Sequence, residues 1–468
     1  MRRAAPSSAP GHLQTSRRDH KKLSATATTD ASAGFGSIHG LGVACALAAG
    51  VWLGAAEAPT KLVNSGLSPY AISLGMVAGV FTARWTIPTL LKGTRYVFAD
   101  LRENRHLILT AILAGMLWAV ANTLTVFAIR DVGLTIAFPL WNTNSLVGIL
   151  WGRLLFGELK GASGKNIAKV VLGALAIVAA AVMLGFSTIH GGGPHAGRAV
   201  SGILAALGAS LLWGTMYIPY RKAYISGMNP LSFVTVFTIG ELGTVFALVL
   251  ALDGGTKAAI FHSPETKHLL FWLFLGGFAW VIGDLFQQFA TKYLGIGRAI
   301  PLSNTNQLWG LAWGALVFGE LAHADAAHRL LVVAGSLVMI AGALAVSTAI
   351  ATEREHASTN DALERECARY HLDYNRVLRA YSGAFSTSQP GERPDCPNRP
   401  VVLNRNDQRE WWDYLILVAA AGVFVYLGLN ARMPALSMNF AWLWLLAAVL
   451  VATAALSGWG LWKATRFS

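Results

Sequence analysis

Charged residues are scarce in this chain. Asp, Glu, Lys and Arg together make up 13% of its 468 residues, whereas hydrophobic residues make up 54%. Soluble globular domains carry about 25% charged residues, so the composition excludes an ordinary soluble protein. The few charges that are present are mainly basic, which gives a formal net charge of +13.

Cysteine is rarer still. The chain has three, Cys45, Cys367 and Cys396, which is too few for a disulfide framework. Cys367 and His371 are one helical turn apart and could share a metal ion with Cys396. No recognised ligand spacing is present, however, and ordinary residues of a polar loop are the favoured interpretation. We therefore expect no metal and no cofactor.

Long hydrophobic runs dominate the rest of the sequence. A helix needs about 20 mainly apolar residues to cross roughly 30 Å of hydrocarbon, because unpaired backbone groups are costly in lipid. Ten such runs cover approximately residues 41–58, 70–91, 107–129, 134–156, 166–186, 200–220, 231–252, 269–290, 300–318 and 330–350. Two more cover about 414–429 and 436–462, the first of them short for a full span. The sequence predicts an all-α polytopic membrane protein.

The basic charge follows the predicted topology. With the N-terminus inside, the inner segments through the tenth span hold 17 Lys and Arg residues, and the outer segments hold six. Positive charge concentrates on the cytoplasmic side of membrane proteins, so both termini are predicted to be cytoplasmic. The charge is thereby explained without a nucleic-acid partner. A plasma membrane or a bacterial inner membrane is the expected location.

One stretch of the sequence occurs twice. Pro139–Leu159 reads "PLWNTNSLVGILWGRLLFGEL" and Pro301–Leu321 reads "PLSNTNQLWGLAWGALVFGEL", so that 14 of 21 positions match. Similar repeats of Trp, Gly and Pro extend over residues 39–187 and 199–350, at offsets of 161 and 162. These ranges are predicted to be two copies of a five-helix unit. Because five is odd, the second copy must be inverted, as in many secondary transporters.

Three segments lie outside the repeats. Residues 1–38 are predicted to be a disordered cytoplasmic tail, with a composition that also weakly fits a transit peptide. Residues 351–411 are predicted to form a cytoplasmic loop, with one helix over "DALERECARYHLDYNRVLRAY" followed by a Pro-rich linker. Residues 412–465 are predicted to form a C-terminal helical hairpin. No chemistry is assigned to the loop.

The repeated unit resembles a known group of transporters. The five-plus-five helices, with "NTN" followed by "WG" and "FGE" at the end of each fourth helix, resemble the drug/metabolite transporter superfamily. Together with the preceding "GMLWAVANTLTVFAIRDVGLTIAFPL", they are most similar to its glucose/ribose porter and rhamnose-symporter branch. The resemblance covers about residues 39–350 and implies transport of a sugar. The tail, the long loop and the last two helices depart from the ten-helix pattern.

Four asparagines lie within the repeated stretches. Asn142, Asn144, Asn304 and Asn306 must face other helices or a wet cavity, because an unpaired polar group in lipid is costly. Their amides suit the hydroxyls of a polyol, and the prolines permit a helix break beside them. The competing interpretation is that they only bond the two repeats to each other.

The third helix of each copy adds aromatic and polar groups. A tryptophan ring can bind the apolar face of a sugar while amides bind its hydroxyls, although tryptophans also serve as interfacial anchors. The predicted solute-binding residues are Asn142, Asn144, Asn304, Asn306, Asn122, Trp118, Trp141, Trp280 and Gln287. We expect the first, third and fourth helices of both copies to enclose one cavity.

Ionisable residues inside spans are functional candidates. Asp284 lies deepest, and its counterpart in the first copy is the neutral Asn122. Unpaired, Asp284 could load and release a proton; the alternative is an ion pair with an arginine. Asp284 is the one carboxylate that we expect in the cavity, with Glu57 and Glu241 as the other candidates for proton coupling. Glu158 and Glu320, which close the repeats, are expected to be structural.

The sequence as a whole predicts a secondary active transporter rather than an enzyme. It would move a small polyhydroxylated solute, such as glucose, ribose or rhamnose, by alternating access and with a proton as the coupling ion. The alternatives are an exporter or facilitator of an amino acid, nucleobase or amphipathic compound, or a receptor. An intramembrane enzyme would need clustered carboxylates, a metal site or a Ser/His pair, and we identify none. Expected partners are the solute, membrane lipid and, as one assembly, a second copy in a homodimer.

Overall fold

The computed structural model describes most of the chain between residues 38 and 467. The described residues are 38–56, 58–59, 63, 68–132, 137, 140–186, 196–252, 264–319, 321, 325–382, 409–432 and 438–467. Regular structure in these ranges is helical throughout. Ten of the described helices are long and apolar enough to cross a membrane. The prediction of an all-α, multi-pass membrane protein is confirmed.

Sixteen helices carry labels in chain order. The first eight are α1 (Ile38–Ala55), α2 (Pro69–Leu91), α3 (Thr94–Glu103), α4 (Ile108–Val132), α5 (Asn144–Leu155), α6 (Gly164–Phe186), α7 (Ala196–Ile225) and α8 (Pro230–Leu252). The others are α9 (Pro264–Leu294), α10 (Ile296–Ser303), α11 (Asn306–Ala312), α12 (Ala326–Ser347), α13 (Glu353–Tyr370), α14 (Tyr374–Ser382), α15 (Trp411–Asn430) and α16 (Phe440–Thr465).

Side-chain caps define several of the helix starts. Ser68 accepts a hydrogen bond from the backbone N–H of Ala71 at 3.1 Å, directly before the proline that begins α2. Asp325 accepts one from the N–H of His328 at 2.9 Å at the start of α12. Such caps satisfy backbone donors that have no partner within the helix.

The fourth helix of each predicted repeat is interrupted. The second copy forms α10 as far as Ser303, turns at Asn304 and Thr305, and resumes as α11, which continues into a π-helical turn. In the first copy the chain turns at residues 142–143 before α5. Continuous spans over 134–156 and 300–318 were therefore a wrong prediction, and the break expected beside the asparagines is confirmed. Pro139 lies outside the described residues.

Two helix crossings are unusually close. A Cβ atom on Gly115 of α4 would lie 2.0 Å from the carbonyl oxygen of Phe237 in α8. A Cβ atom on Gly277 of α9 would lie 1.9 Å from the carbonyl oxygen of Met76 in α2. Glycine at these positions lets the two backbones touch, as small residues do in membrane helix packing.

The C-terminal hairpin packs along the helices of the repeats. Helix α15 has 20 residues and is a candidate span, so the expectation that it is too short is wrong. Its Phe424 contacts Phe274 and Phe278 of α9, with ring centroids 5.0 and 4.8 Å away. Helix α16 contacts α1, where Trp52 Nε1 donates to the carbonyl oxygen of Leu450 at 3.1 Å.

The loop after α12 contains two helices rather than the one predicted. Helix α13 ends at Tyr370, and its C-cap His371 adopts a left-handed conformation with a φ of +54° before α14 begins. Cys367 is buried in α13 and Cys396 lies outside the described residues. Within the described part of the chain, no group of three His, Cys, Asp or Glu side chains is arranged to hold a metal ion.

Candidate functional site

Three ionisable side chains meet in the interior of the membrane helices. Arg84 of α2 lies between Glu241 of α8 and Asp284 of α9. Its Nη1 atom is 3.1 Å from Glu241 Oε2, and its Nη2 atom is 2.7 Å from Asp284 Oδ2. All three side chains have 0% exposure. We call Arg84, Glu241 and Asp284 the ion triad.

This arrangement corrects one expectation and decides another. Asp284 is not the one carboxylate at the site, because Glu241 binds the same guanidinium group. Asp284 is also not unpaired, since it forms the ion pair with arginine that was the alternative interpretation. Arg84 lies 157 positions from Glu241 and 200 positions from Asp284 in the chain, so their convergence comes from the tertiary packing. Glu57 lies outside the described residues.

Polar and aromatic groups surround the triad. Gln288 Nε2 donates to Asp284 Oδ2 at 2.7 Å, and the Tyr224 hydroxyl donates to Gln288 Oε1. The Arg84 guanidinium lies 4.3 Å from the ring centre of Phe237 and 5.4 Å from that of Trp280. These contacts hold the guanidinium between two aromatic faces, an arrangement that favours a cation.

The charges of the triad do not balance when both carboxylates are ionised. One guanidinium then faces two carboxylates, which leaves one net negative charge in a buried, mainly apolar setting. Such a charge is costly unless it is compensated. Asp284 Oδ1 accepts no hydrogen bond from the described residues. A single proton on either carboxylate would make the triad electrically neutral.

A second buried cluster joins the two interrupted helices. Asn304 Nδ2 donates to Asn144 Oδ1 at 2.8 Å and to Ser145 Oγ at 2.6 Å. Asn142 is 2% exposed, and its Nδ2 donor has no partner among the described residues. Asn306 Oδ1 likewise accepts no hydrogen bond from the described residues. The side-chain amides of Asn304 and Asn144 are thus bonded to each other, whereas Asn142 Nδ2 and Asn306 Oδ1 have no hydrogen-bond partner among the described residues.

Helix α9 connects the two clusters. Gln287 follows Asp284 by three residues, and its Nε2 donates to Ser303 Oγ at 2.6 Å. Ser303 is the neighbour of Asn304 in the chain. The Tyr217 hydroxyl donates to Gln287 Oε1 at 3.4 Å. One helix therefore carries both an ion-triad carboxylate and an amide bonded to the residue next to Asn304.

The predicted aromatic residues lie close to these groups. Trp118 and Trp280 contact each other, with ring centroids 4.9 Å apart and planes inclined at 58°. Trp141 packs edge-on against Trp213 at 6.1 Å. Asn122 is 8% exposed, and its Nδ2 donates to Ser73 Oγ at 3.4 Å. Trp118 and Trp280 therefore come together, and Trp280 also lies beside Arg84.

Sequence reasoning missed several members of the site. The sequence predicts no role for Arg84, although this ionisable residue lies inside the predicted span 70–91. A single arginine in an apolar helix requires a partner, and this signal could have led to the carboxylates on other helices. Tyr224 and Ser303 carried no comparable signal, because hydroxyls occur at many other positions of the spans.

Comparison with protein families identifies similar chains. The family described as Sugar transport protein has a sequence model that matches residues 73–187 and 204–370. These ranges include the ion triad, the asparagines Asn142, Asn144 and Asn304, and the whole of α13.

Individual curated relatives match a shorter region. Three bacterial proteins share the curated name "Putative sugar uptake protein". The protein of Enterococcus faecalis is 26% identical over 128 residues, which is 27% of this chain and 40% of the relative. The protein of Streptococcus agalactiae is 36% identical over 124 residues, 26% of this chain and 38% of the relative. The protein of Lactobacillus johnsonii is 31% identical over 124 residues, 26% of this chain and 42% of the relative. The chain thus spans about two fifths of the length of these relatives.

Proposed function

This chain belongs to the sugar transport protein family, and from that premise we propose that it is a proton-coupled secondary transporter of a small polyhydroxylated solute. Glucose, ribose and rhamnose are the solutes to examine first. The names of the relatives, which refer to sugar uptake, support this class. Within the wider classification, we propose the glucose/ribose porter and rhamnose-symporter branch of the drug/metabolite transporter superfamily.

Alternating access is the proposed mechanism, with residues 39–187 and 199–350 as inverted halves. Two mirrored crossings support it. The contact of Gly115 with Phe237 is repeated by that of Gly277 with Met76, at an offset of 162 residues for the glycines and 161 for their partners. The interruptions before α5 and between α10 and α11 also support it. Broken helices near mid-membrane are where such transporters bind solutes.

The free amide of Asn142 is the observation that carries the proposed solute site. It is a buried donor without a partner among the described residues, next to the Asn304–Asn144 hydrogen bond that joins the two halves. A sugar hydroxyl would satisfy it, since a hydroxyl both accepts and donates hydrogen bonds. In this proposal Asn306 and Gln287 bind further hydroxyls, and Trp118 and Trp280 separate to hold the apolar face of the ring.

The ion triad is the proposed coupling device. It holds one proton when both carboxylates share Arg84, and it is connected to the solute site through Gln287 and Ser303. Solute binding that moves α9 would change the contacts of Asp284 and with them its affinity for the proton. Coupling of this kind requires that the solute and the proton favour the same conformation.

Solute counterflow in proteoliposomes tests the proposed function. Vesicles loaded with one unlabelled solute are diluted into the same solute labelled with a radioisotope, over a panel of sugars, amino acids and nucleobases. We expect exchange of at least one pentose or hexose, with slower exchange by Asn142→Ala and unchanged exchange by the control Asn430→Ala on an exposed helix end. Exchange confined to amino acids or nucleobases would refute the sugar assignment.

A further inference from the structure

Helices α13 and α14 cover the ends of several membrane helices at one face of the protein. We propose that this helix pair is a latch that holds that face closed, and that the ion pair between Arg298 and Glu355 fastens it. The inference rests on the proposed function in one respect, because alternating access requires that a closed face opens. It gives a role to the loop after α12, which takes no part in the proposed solute site.

The fastening is a two-pronged ion pair. Arg298 of α10 places Nη1 at 2.6 Å from Glu355 Oε1 and Nη2 at 2.9 Å from Glu355 Oε2. Both side chains are 4% exposed. Burial opposes the charge of Glu355, but the hydrogen bonds and charge of Arg298 keep its pKa below the ordinary value. Bidentate pairs of this type are among the stronger polar contacts in proteins.

Helix α13 also holds the segment that follows α5 in the first predicted repeat. Glu355 Oε1 accepts a hydrogen bond from the N–H of Leu159 at 3.2 Å. One turn further along α13, the Ser358 hydroxyl donates to the carbonyl oxygen of Gly157 at 3.2 Å. Since α10 lies in the second predicted repeat, α13 links the two proposed halves directly.

Helix α14 and the end of α13 extend the cover to other helices. Arg376 lies 3.1 Å from Glu103 of α3. The Tyr370 ring packs on His106 with centroids 4.2 Å apart, and the Tyr381 ring lies 5.5 Å from the guanidinium of Arg221 in α7. The latch therefore contacts segments from both predicted repeats at this face.

A second link between the halves lies beside the latch. Glu158 accepts hydrogen bonds from the N–H groups of Ile296 and Gly297 at 2.9 and 2.8 Å, where α10 begins. Arg221 Nε is 3.3 Å from Glu158 Oε1. Glu158 thus has the structural position that its place at the end of the repeat predicted. Leu159, which is bonded to Glu355 of the latch, directly follows Glu158 in the chain. When this face opens, the latch must therefore release before the contacts of Glu158 or together with them.

A distance measurement between two spin labels tests the latch. One label is placed at Arg365→Cys on the exposed side of α13 and the other at Lys165→Cys, exposed at the start of α6. The three native cysteines are first replaced by alanine or serine. The full chain is studied in lipid nanodiscs as the parent, as Glu355→Gln and as Glu364→Gln, a matched control on the exposed face of α13.

We expect Glu355→Gln to increase the fraction of longer distances several-fold, because it removes the charge of the ion pair and keeps the size of the side chain. The control should match the parent. Arg298→Lys keeps the charge and loses the two-pronged geometry, so it should also increase the fraction of longer distances. If Glu355→Gln does not fold, Arg298→Lys alone provides the test. Parent-like distances in the folded variants would refute the latch. The readout needs no solute, so a lack of sugar flux would count against the proposed function alone.

Discussion

Asn304 of one interrupted helix donates its side-chain amide to Asn144 of the other at 2.8 Å. The two residues are 160 positions apart in the chain and lie in different predicted repeats. Asn142, two residues before Asn144, contributes only its backbone carbonyl to Asn304, at 3.4 Å, and its side-chain donor has no partner among the described residues. The two asparagines of one motif therefore differ in their contacts, and we propose that Asn142 is the one that binds the solute.

Asn304→Ala should lower stability, and Asn142→Ala should not. Removing Asn304 leaves Asn144 Oδ1 and Ser145 Oγ without this donor, and a buried unpaired group costs about 1–3 kcal/mol. Asn142 Nδ2 has no partner to lose. Thermal unfolding in detergent measures the difference. Solute affinity should nevertheless depend on Asn142. In a binding assay, Asn142→Ala should weaken solute binding roughly 10-fold to 100-fold. Equal melting temperatures for the two variants would contradict this assignment.

Arg84→Gln should destabilise the protein strongly. It leaves Glu241 and Asp284 facing each other without a cation, and loss of one partner of a buried ion pair costs about 3–5 kcal/mol. Addition of Glu241→Gln and Asp284→Asn to the same protein should recover most of this loss, since a neutral polar cluster has no uncompensated charge. Chemical denaturation of the single and triple variants is the measurement. A triple variant no more stable than Arg84→Gln would show that the charge imbalance is not the cause.

Gly115→Ala and Gly277→Ala should each impair folding. The new methyl group would lie 2.0 or 1.9 Å from a carbonyl oxygen, so the helices must separate. Overpacking of this kind costs about 1–3 kcal/mol. Gly243→Ala on α8 is the matched control, because a Cβ atom there meets nothing within 4 Å. The yield of monodisperse protein after size-exclusion chromatography reports the effect, and a loss as large for the control would contradict the explanation.

Asp100 should make stability depend on pH. Burial raises its pKa from 3.8 to about 6, although hydrogen bonds from Asn229 and Asn104 oppose the shift. The folded protein therefore binds this proton more tightly than the unfolded chain. The resulting stabilisation is complete below pH 3.8 and is lost as the pH rises to about 6. Relative to Asp100→Asn, the melting temperature of the parent should fall between these values. A difference that is constant with pH would contradict the prediction.

The sequence predicted the parts of the structure that follow from local patterns. Helical spans follow from runs of about 20 apolar residues, and the interruption of α10 and α11 follows from proline beside asparagine. Local patterns do not predict that Arg84 contacts Glu241 and Asp284, because this contact depends on how α2, α8 and α9 cross. The position of α13 was equally inaccessible, since a polar amphipathic helix gives no indication of which helix ends it covers.

The coupling role of the ion triad is the central claim, and pH-driven accumulation of the exchanged sugar in proteoliposomes tests it most directly. The parent protein should concentrate the sugar when a pH gradient is imposed. Asp284→Asn and Glu241→Gln each leave one carboxylate for Arg84, so the triad is neutral without a proton. Both variants should keep counterflow exchange and lose pH-driven accumulation. Accumulation at the parent level in both variants would contradict the claim.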